Sequence, residues 1–300
     1  MKKESILHLI TAAKNASPFD VNMAYDAGYD KIMPYTQVTL SEVTGLTQDA
    51  IFSRSPSGVK REAIFIGGRD IDLAIQMLEV AQQGMFEPFV CAIFADPSGA
   101  FTTAAAMLAK IEFHLKKQFN ADLTGKALTV FGANGPVGSC AAIIAAQQGA
   151  LVQLVARQSI AELTQKVRAW NIKYQVNMQV LDGSTEAAKQ TVLANSDIVI
   201  CAAAAGVQVI SQAHLTFAKQ LKVLADVNVV SPLGAEGVAV DSDGLAIAGS
   251  SAYGIGALAI GQLKYLTQHQ MLKQMLAAEK PQLLEFMAAF KFARALLQVA

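Results

Sequence analysis

Short apolar runs alternate with helix-length amphipathic segments along the whole chain, and this alternation restricts the fold most: it calls for parallel sheets with helices between successive strands. The run Ser5–Ile10 reads as a first strand, and Ser17-Pro18-Phe19-Asp20 opens a helix with Ser at the cap, Pro in the first turn and a carboxylate three residues on. A second strand ends near Tyr35, and Thr39-Leu40-Ser41-Glu42 repeats the capping pattern. Ala63–Gly68 is a third strand, followed by a helix over Asp72–Gln83, and Phe89–Ala95 is a fourth. Asp96-Pro97-Ser98-Gly99 breaks it, and a long helix runs to about Phe119.

A chain of 300 residues accommodates two domains at roughly 150 residues each. The polar segment 120–126 marks the boundary. It leaves an α/β domain over 1–122, a second α/β domain over 123–255, and C-terminal helices over 256–300 returning to the first. In the second domain the pattern predicts strands at Ala127–Phe131, Leu151–Ala156, Gln175–Val180, Ile198–Ala202 and Val223–Asp226. Gly249–Gly256 reads as small and flexible, a long helix follows to about Leu276, and an amphipathic helix spans Pro281 to Leu297.

Composition excludes several classes. Apolar residues are 53% and charged residues 16%, enough for a large core and too little charge for a disordered tail. Lys+Arg and Asp+Glu are both 24, so the formal net charge is zero, without the positive field that nucleic acid or anionic lipid requires. Cys91, Cys140 and Cys201 are too few and scattered for a disulfide framework or zinc cage, and read as buried small hydrophobes. His8, His114, His214 and His269 show no ligand spacing and read as structural or surface groups, so no metal is expected. Met1-Lys2-Lys3-Glu4 and the run Ile6–Ile10 are too short for a signal-peptide core, and no stretch would span a bilayer, so a cytoplasmic protein is expected.

The sharpest motif is Gly132-Ala133-Asn134-Gly135-Pro136-Val137-Gly138, after a strand and opening a helix. Its G-x-x-G-x-x-G spacing differs from the usual G-x-G-x-x-G, but the physics is shared: positive φ in the turn, backbone close to a pyrophosphate, and helix amides facing the anion. A Rossmann-type dinucleotide site follows, with Gly132, Asn134, Gly135, Pro136, Val137 and Gly138 as its phosphate cradle. At the next strand's end, where a carboxylate would hold a ribose diol, stand Arg157 and Ser159 instead; they suit a 2′-phosphate, so NADP is expected, with NAD possible. Ala203, in an all-small segment, and Asp226 and Asn228, at another strand end, complete the cofactor candidates.

Over nearly its whole length the chain resembles the bacterial NAD(P)-dependent methylenetetrahydromethanopterin dehydrogenases of methylotrophs. The resemblance rests on Ser17–Asn22, Tyr25–Gly28, Ile64–Gly68, Asp96–Gly99, Thr102–Ala106, Gly132–Gly138, Ala225–Asn228, Pro232–Gly234 and Gly256–Lys264. It implies hydride transfer from a methylene-tetrahydromethanopterin carrier, or from methylene-tetrahydrofolate, to NADP+ in formaldehyde oxidation. It also implies a homo-oligomer, a trimer or its multiple. The reacting carbon lies between two nitrogens that share the resulting cation, so no proton need leave in the same step; positioning and electrostatics suffice.

Asp20 and Lys264 are the catalytic candidates, and Phe19, Asp96, Ser98 and Thr102 the substrate-binding ones. Asp20 also reads as a helix-cap carboxylate, and Asp96 and Thr102 as caps of the long helix. A cleft is expected with the pterin on the first domain's side and nicotinamide on the second's. The competing readings are a shikimate-type hydroxy-acid dehydrogenase, which wants a Lys–Asp pair to move an alcohol proton, and a non-catalytic sensor of NADP or pterin.

Overall fold

The computed structural model describes residues 4–299, so the leading Met1-Lys2-Lys3 of the signal-peptide reading lies outside the described residues. By packing, the chain divides into two units, each built on its own sheet. The first takes the residues up to Thr102 with Tyr265–Phe292, and the second takes Thr103–Lys264 with the residues from Ala293 on. The divisions fall inside helices and not at the polar segment 120–126, because a continuous helix can serve different packing partners along its length without a polar break.

The first unit runs β1 (Ile6–Ile10), α1 (Pro18–Asp26), β2 (Lys31–Tyr35), α2 (Val43–Phe52), α3 (Pro56–Val59), β3 (Glu62–Ile66), α4 (Ile71–Gln83) and β4 (Ala92–Ala95), after which α5 (Ala100–Phe119) leads on. Then come β5 (Ala127–Phe131), α6 (Pro136–Gln147), β6 (Leu151–Ala156), α7 (Ile160–Tyr174), β7 (Gln179–Asp182), α8 (Glu186–Ala194), β8 (Ile198–Cys201), α9 (Gln212–Leu215), β9 (Val223–Asp226), β10 (Asp243–Ala246) and β11 (Tyr253–Ile255). The chain closes with α10 (Ala257–Ala277), β12 (Leu283–Leu284) and α11 (Phe286–Val299).

The first sheet is wholly parallel, in the order β12-β4-β3-β1-β2. The chain goes from β1 outward to β2, then places β3 on the other side of β1, so the topology reverses between β1 and β3. The second sheet has the order β10-β11-β9-β8-β5-β6-β7, parallel except for the β10–β11 pair. Its reversal lies between β5 and β8. Open α/β sheets bind ligands outside the carboxyl ends of strands at such reversals. Every residue of β3, β4, β8 and β9 is buried, including the carboxylates Glu62 and Asp226 at the ends of otherwise apolar runs. Phe65 and Phe94, on neighbouring strands, meet edge to face with ring centroids 5.3 Å apart in the first core. Phe131, Val199, Leu193 and Leu224 anchor a core of the second.

Several sequence expectations are corrected. Leu283 and Leu284 do not begin the last helix; they pair with Ile93 and Phe94 as an added edge strand. The segment Gly249–Gly256 contains β11, inserted between β9 and β10. Gln175 adopts φ 54° and ends α7, so β7 starts only at Gln179. Phe89 lies in an isolated bridge with Phe86, which shortens the fourth strand to Ala92–Ala95. Cys91, Cys140 and Cys201 are buried and form no disulfide among the described residues, in keeping with their small apolar character.

Candidate active site

The glycine turn sits at the reversal of the second sheet. Gly132 adopts φ +84°, and a Cβ there would fall 2.2 Å from the Ala202 carbonyl oxygen and 2.5 Å from the Ala203 amide nitrogen. Only glycine lets the turn lie this close to the end of β8. Gly138 is held equally tightly, since its Cβ would stand 2.5 Å from the Gly132 carbonyl oxygen. The Gly135 amide donates to that same carbonyl at 3.0 Å, which closes the turn. Gly135 caps α6 without a side chain, and Pro136 occupies the first turn, so the helix start is dressed by backbone alone. An anion is the natural partner of such an uncapped start. Asn134 is exposed at the loop tip, while Pro136, Val137 and Ala203 are half-buried around it. The sequence's phosphate cradle is therefore one contiguous surface in which Gly132 and Gly138 are sterically obligatory, and these residues fit a dinucleotide.

At the end of β6, Arg157 is exposed and engaged in no ion pair among the described residues. Ser159, also exposed, adopts φ 56° at the cap position of α7 without using its hydroxyl as a cap. Gly183, which sequence reasoning did not single out, belongs here. Its amide donates to the Ala156 carbonyl at 2.8 Å, and a Cβ would sit 2.2 Å from Val155 Cγ1. The turn Asp182-Gly183-Ser184 was the signal available for it.

Asp226 and Asn228 act differently from expectation. Asp226 is buried, one carboxylate oxygen accepting from the Asn228 amide at 3.0 Å and the other from the Ala235 amide at 2.9 Å. Burial pushes its carboxyl up, and the backbone donors offset this only in part. Asn228 is buried and its side-chain oxygen accepts from the Val230 amide at 2.9 Å. Both polar groups organise the loop 227–235. Gly234 completes it, because a Cβ would lie 2.6 Å from Asp226 Oδ1.

In the first unit, Asp20 stands in the first turn of α1, its amide donating to the Ser17 hydroxyl at 3.4 Å. The capping role is real, but the side chain is directed elsewhere. It is only 4% exposed, and Gln268 of α10 donates from Nε2 to its Oδ1 at 3.2 Å. Its Oδ2 faces the end of β3, 3.8 Å from where a Cβ on Gly67 would be, beside Thr11 at the end of β1. Asp20 thus lies at the reversal of the first sheet. A cavity of about 240 Å³ opens there, lined by Ala12, Gly67, Gly68, Arg69, Leu73 and Met77 among others. Phe19 is 45% exposed at the same helix start.

Asp96 and Thr102 are wholly buried, and Asp96 caps the start of α5. One Asp96 oxygen accepts from the Phe101 amide at 2.9 Å and the Thr102 amide at 3.2 Å; the other accepts from the Thr102 hydroxyl at 2.6 Å. Ser98 remains exposed, with φ 54°, and its hydroxyl donates to the Gly68 carbonyl at 2.7 Å. Lys264 is half-buried on α10, one helical turn before Gln268.

The histidines are structural. His8 lies between Tyr35 and Glu62, His114 contacts Asp243, His214 closes a cap with Ser211, and His269 stacks on Tyr265. Among the described residues no cluster of three or more His, Cys, Asp or Glu could hold a metal ion, and no helix is long and apolar enough to cross a membrane.

A similar arrangement occurs in the shikimate 5-dehydrogenase of Listeria monocytogenes, solved with shikimate and NAD. It superposes with a TM-score of 0.54 at 15% identity, over 98% of this chain and 96% of that one, a likeness of fold alone. Fold and glycine turn together define a protein of two α/β units, the second of Rossmann type. Over 289 residues, 96% of the chain and 97% of the relative, the sequence is 40% identical to the NAD(P)-dependent methylenetetrahydromethanopterin dehydrogenase of Methylorubrum extorquens. The chain belongs to the NAD(P)-dependent methylenetetrahydromethanopterin dehydrogenase family. Residues 18–98 match the family model for the N-terminal part of methylene-tetrahydromethanopterin dehydrogenase. The bifunctional protein MdtA of the same organism is 28% identical over 88% of this chain and 89% of its own. The hydroxy-acid and sensor readings give way to this membership.

Proposed function

We propose that the chain oxidises methylene-tetrahydromethanopterin to its methenyl form, holding the carrier at the reversal of the first sheet and NADP+ at that of the second. The residue-level reading is carried by one observation: a turn at β5 that only glycine can form, delivering an uncapped helix start to the strand ends. Bound NADP+ supplies the hydride acceptor. Gly132, Gly135 and Gly138 set the backbone against its pyrophosphate, with Asn134, Pro136 and Val137 forming the loop's outer wall. Arg157 and Ser159 take the 2′-phosphate, which a planar guanidinium holds in a fixed fork. Ala203 leaves room for a ribose or ring. Asp226 and Asn228 contribute by holding the loop beyond β9 in shape.

In the first unit, a carboxylate beside small residues suits the amino-pyrimidine edge of a pterin, which offers parallel N–H donors. The negative charge of Asp20 also favours the cation left on the carrier when hydride departs. Phe19 and Ser98 offer an exposed ring and an exposed hydroxyl at neighbouring strand ends, and Asp96 and Thr102 hold the Ser98 turn from behind. The Lys264 ammonium suits the oxygen edge of a carrier and not the reacting carbon, where it would oppose the forming charge. No group is required to remove a proton.

The chain also assembles as a homo-oligomer, a trimer or its multiple, and works in the cytoplasm; light scattering and cell fractionation test these two statements. The principal test supplies purified protein with NADP+ and methylene-tetrahydromethanopterin, or methylene-tetrahydrofolate, and follows NADPH absorbance. Growth with either carrier supports the reading, and its absence with both overturns it.

A further inference from the structure

Asp20 has a partner that neither its motif nor its helix reveals. Gln268 lies 248 positions away, on α10, and is fully buried. A fully buried primary amide is costly unless its polar atoms are engaged, so its placement calls for a reason. One Gln268 N–H is directed at Asp20 Oδ1 at 3.2 Å, while Asp20 Oδ2 is turned toward the Gly67 end of β3. A carboxylate on a short side chain rotates about its last torsion with a broad preference. A donor fixed on one oxygen restricts that freedom and sets the plane of the carboxylate.

The donor's chemistry matters as much as its position. An amide is neutral at every working pH, so it orients the carboxylate without cancelling its charge, whereas a lysine or arginine there would compete electrostatically with a cation forming on the carrier. We propose that Gln268 is a positioning residue for the hydride-transfer step, fixing the Asp20 carboxylate in the orientation that receives the carrier. This rests on the reading of Asp20 as a carrier-binding residue.

The test is a double-mutant cycle on kcat with saturating NADP+, using Asp20→Asn, Gln268→Met and the pair. Met keeps the length and apolar bulk of Gln but cannot donate. If Gln268 acts through Asp20, Gln268→Met lowers kcat about tenfold, the scale of one hydrogen bond to a charged group, and leaves the KM for NADP+ unchanged. In the Asp20→Asn background the same substitution then costs nothing further. Gln268→Glu, which sets a second carboxylate against Asp20, loses more than Met. Bound NADPH and thermal unfolding serve as folding controls. Multiplicative losses in the double variant, or a Gln268→Met enzyme within twofold of wild type beside an impaired Asp20→Asn, would refute the positioning role. Full activity of Asp20→Asn instead removes the reading of Asp20 on which the proposal stands.

Discussion

Gly132→Ala probes the cofactor cradle most directly. The added Cβ would fall 2.2 Å from the Ala202 carbonyl oxygen, and both near atoms belong to backbone at the end of a fully buried strand. Real Cβ contacts essentially never fall below 3.0 Å, so the loop must withdraw by at least ~0.8 Å. Relaxing φ from +84° adds a second pull in the same residue, of about 1–2 kcal/mol for a residue with a Cβ. A shift of ~0.8 Å stretches an amide–phosphate hydrogen bond of about 2.9 Å beyond bonding distance. Loss of two such bonds to a charged group, at about 1.5 kcal/mol each, weakens NADP+ binding roughly a hundredfold. The assay is a fluorescence titration with NADPH on protein shown to be folded by circular dichroism. Gly45→Ala is the control: Gly45 has nothing within 4 Å of its virtual Cβ and lies within α2, so the change is neutral or mildly stabilising. A folded Gly132→Ala protein that binds NADPH within threefold of wild type would show that the turn does not carry the phosphates.

Arg157→Ala is expected to cut the preference for NADP+ over NAD+ by at least about tenfold, read as the ratio of kcat/KM values, with NAD+ kinetics nearly unchanged. An unchanged ratio would place the 2′-phosphate elsewhere. Asp226→Asn destabilises the second unit by about 1–3 kcal/mol in denaturant unfolding even though burial already disfavours the charge, because an amide turns one acceptor into a donor facing a backbone N–H; Gly234→Ala strikes the same loop, so the double variant should lose less than the sum. For Asp243, burial raises the carboxyl pKa but the Lys110 and His114 contacts outweigh it and hold it below the ordinary range. Its contribution is therefore present above the unfolded value of about 3.9 and lost as pH falls through the lower folded value. Since the carboxylate is half-exposed, Asp243→Asn should cost only about 1 kcal/mol at pH 7, a difference that vanishes in acid; one that grows in acid would reverse the assignment.

Much of the fold was legible because its signals are local. Ser17 does cap α1 and Thr39 with Glu42 does form a capping box, each fixed by residues within one turn. The glycine turn was legible for the same reason, since φ and close approach at Gly132 and Gly138 follow from chain connectivity. What escaped notice depends on partners distant in sequence. Leu283 and Leu284 carry a helical-looking apolar pattern, but the open edge of β4 captures them as a strand. Asp226 looks like a ligand group at a strand end until Gly234 and Ala235 fold back over it. Gln268 is an unremarkable polar residue in a long helix, and only the tertiary fold puts it on Asp20.

The polar groups most reminiscent of acid–base machinery are already engaged in ion pairs or caps of the fold. Glu62 holds both His8 and Arg54, Asp243 holds Lys110 and His114, and Asp96 holds a helix start. Each is engaged in an ion pair or cap, and moving a proton through any of them would break that contact. The groups at or beside the two sheet reversals are of another kind: a backbone helix start, an exposed guanidinium, and a carboxylate that accepts from a neutral amide. Such groups are suited to binding and orienting charge and need exchange no proton. A reaction that passes hydride from a carbon between two nitrogens asks for that kind of site, and an alcohol oxidation, which must also shed a proton, would ask for a different one.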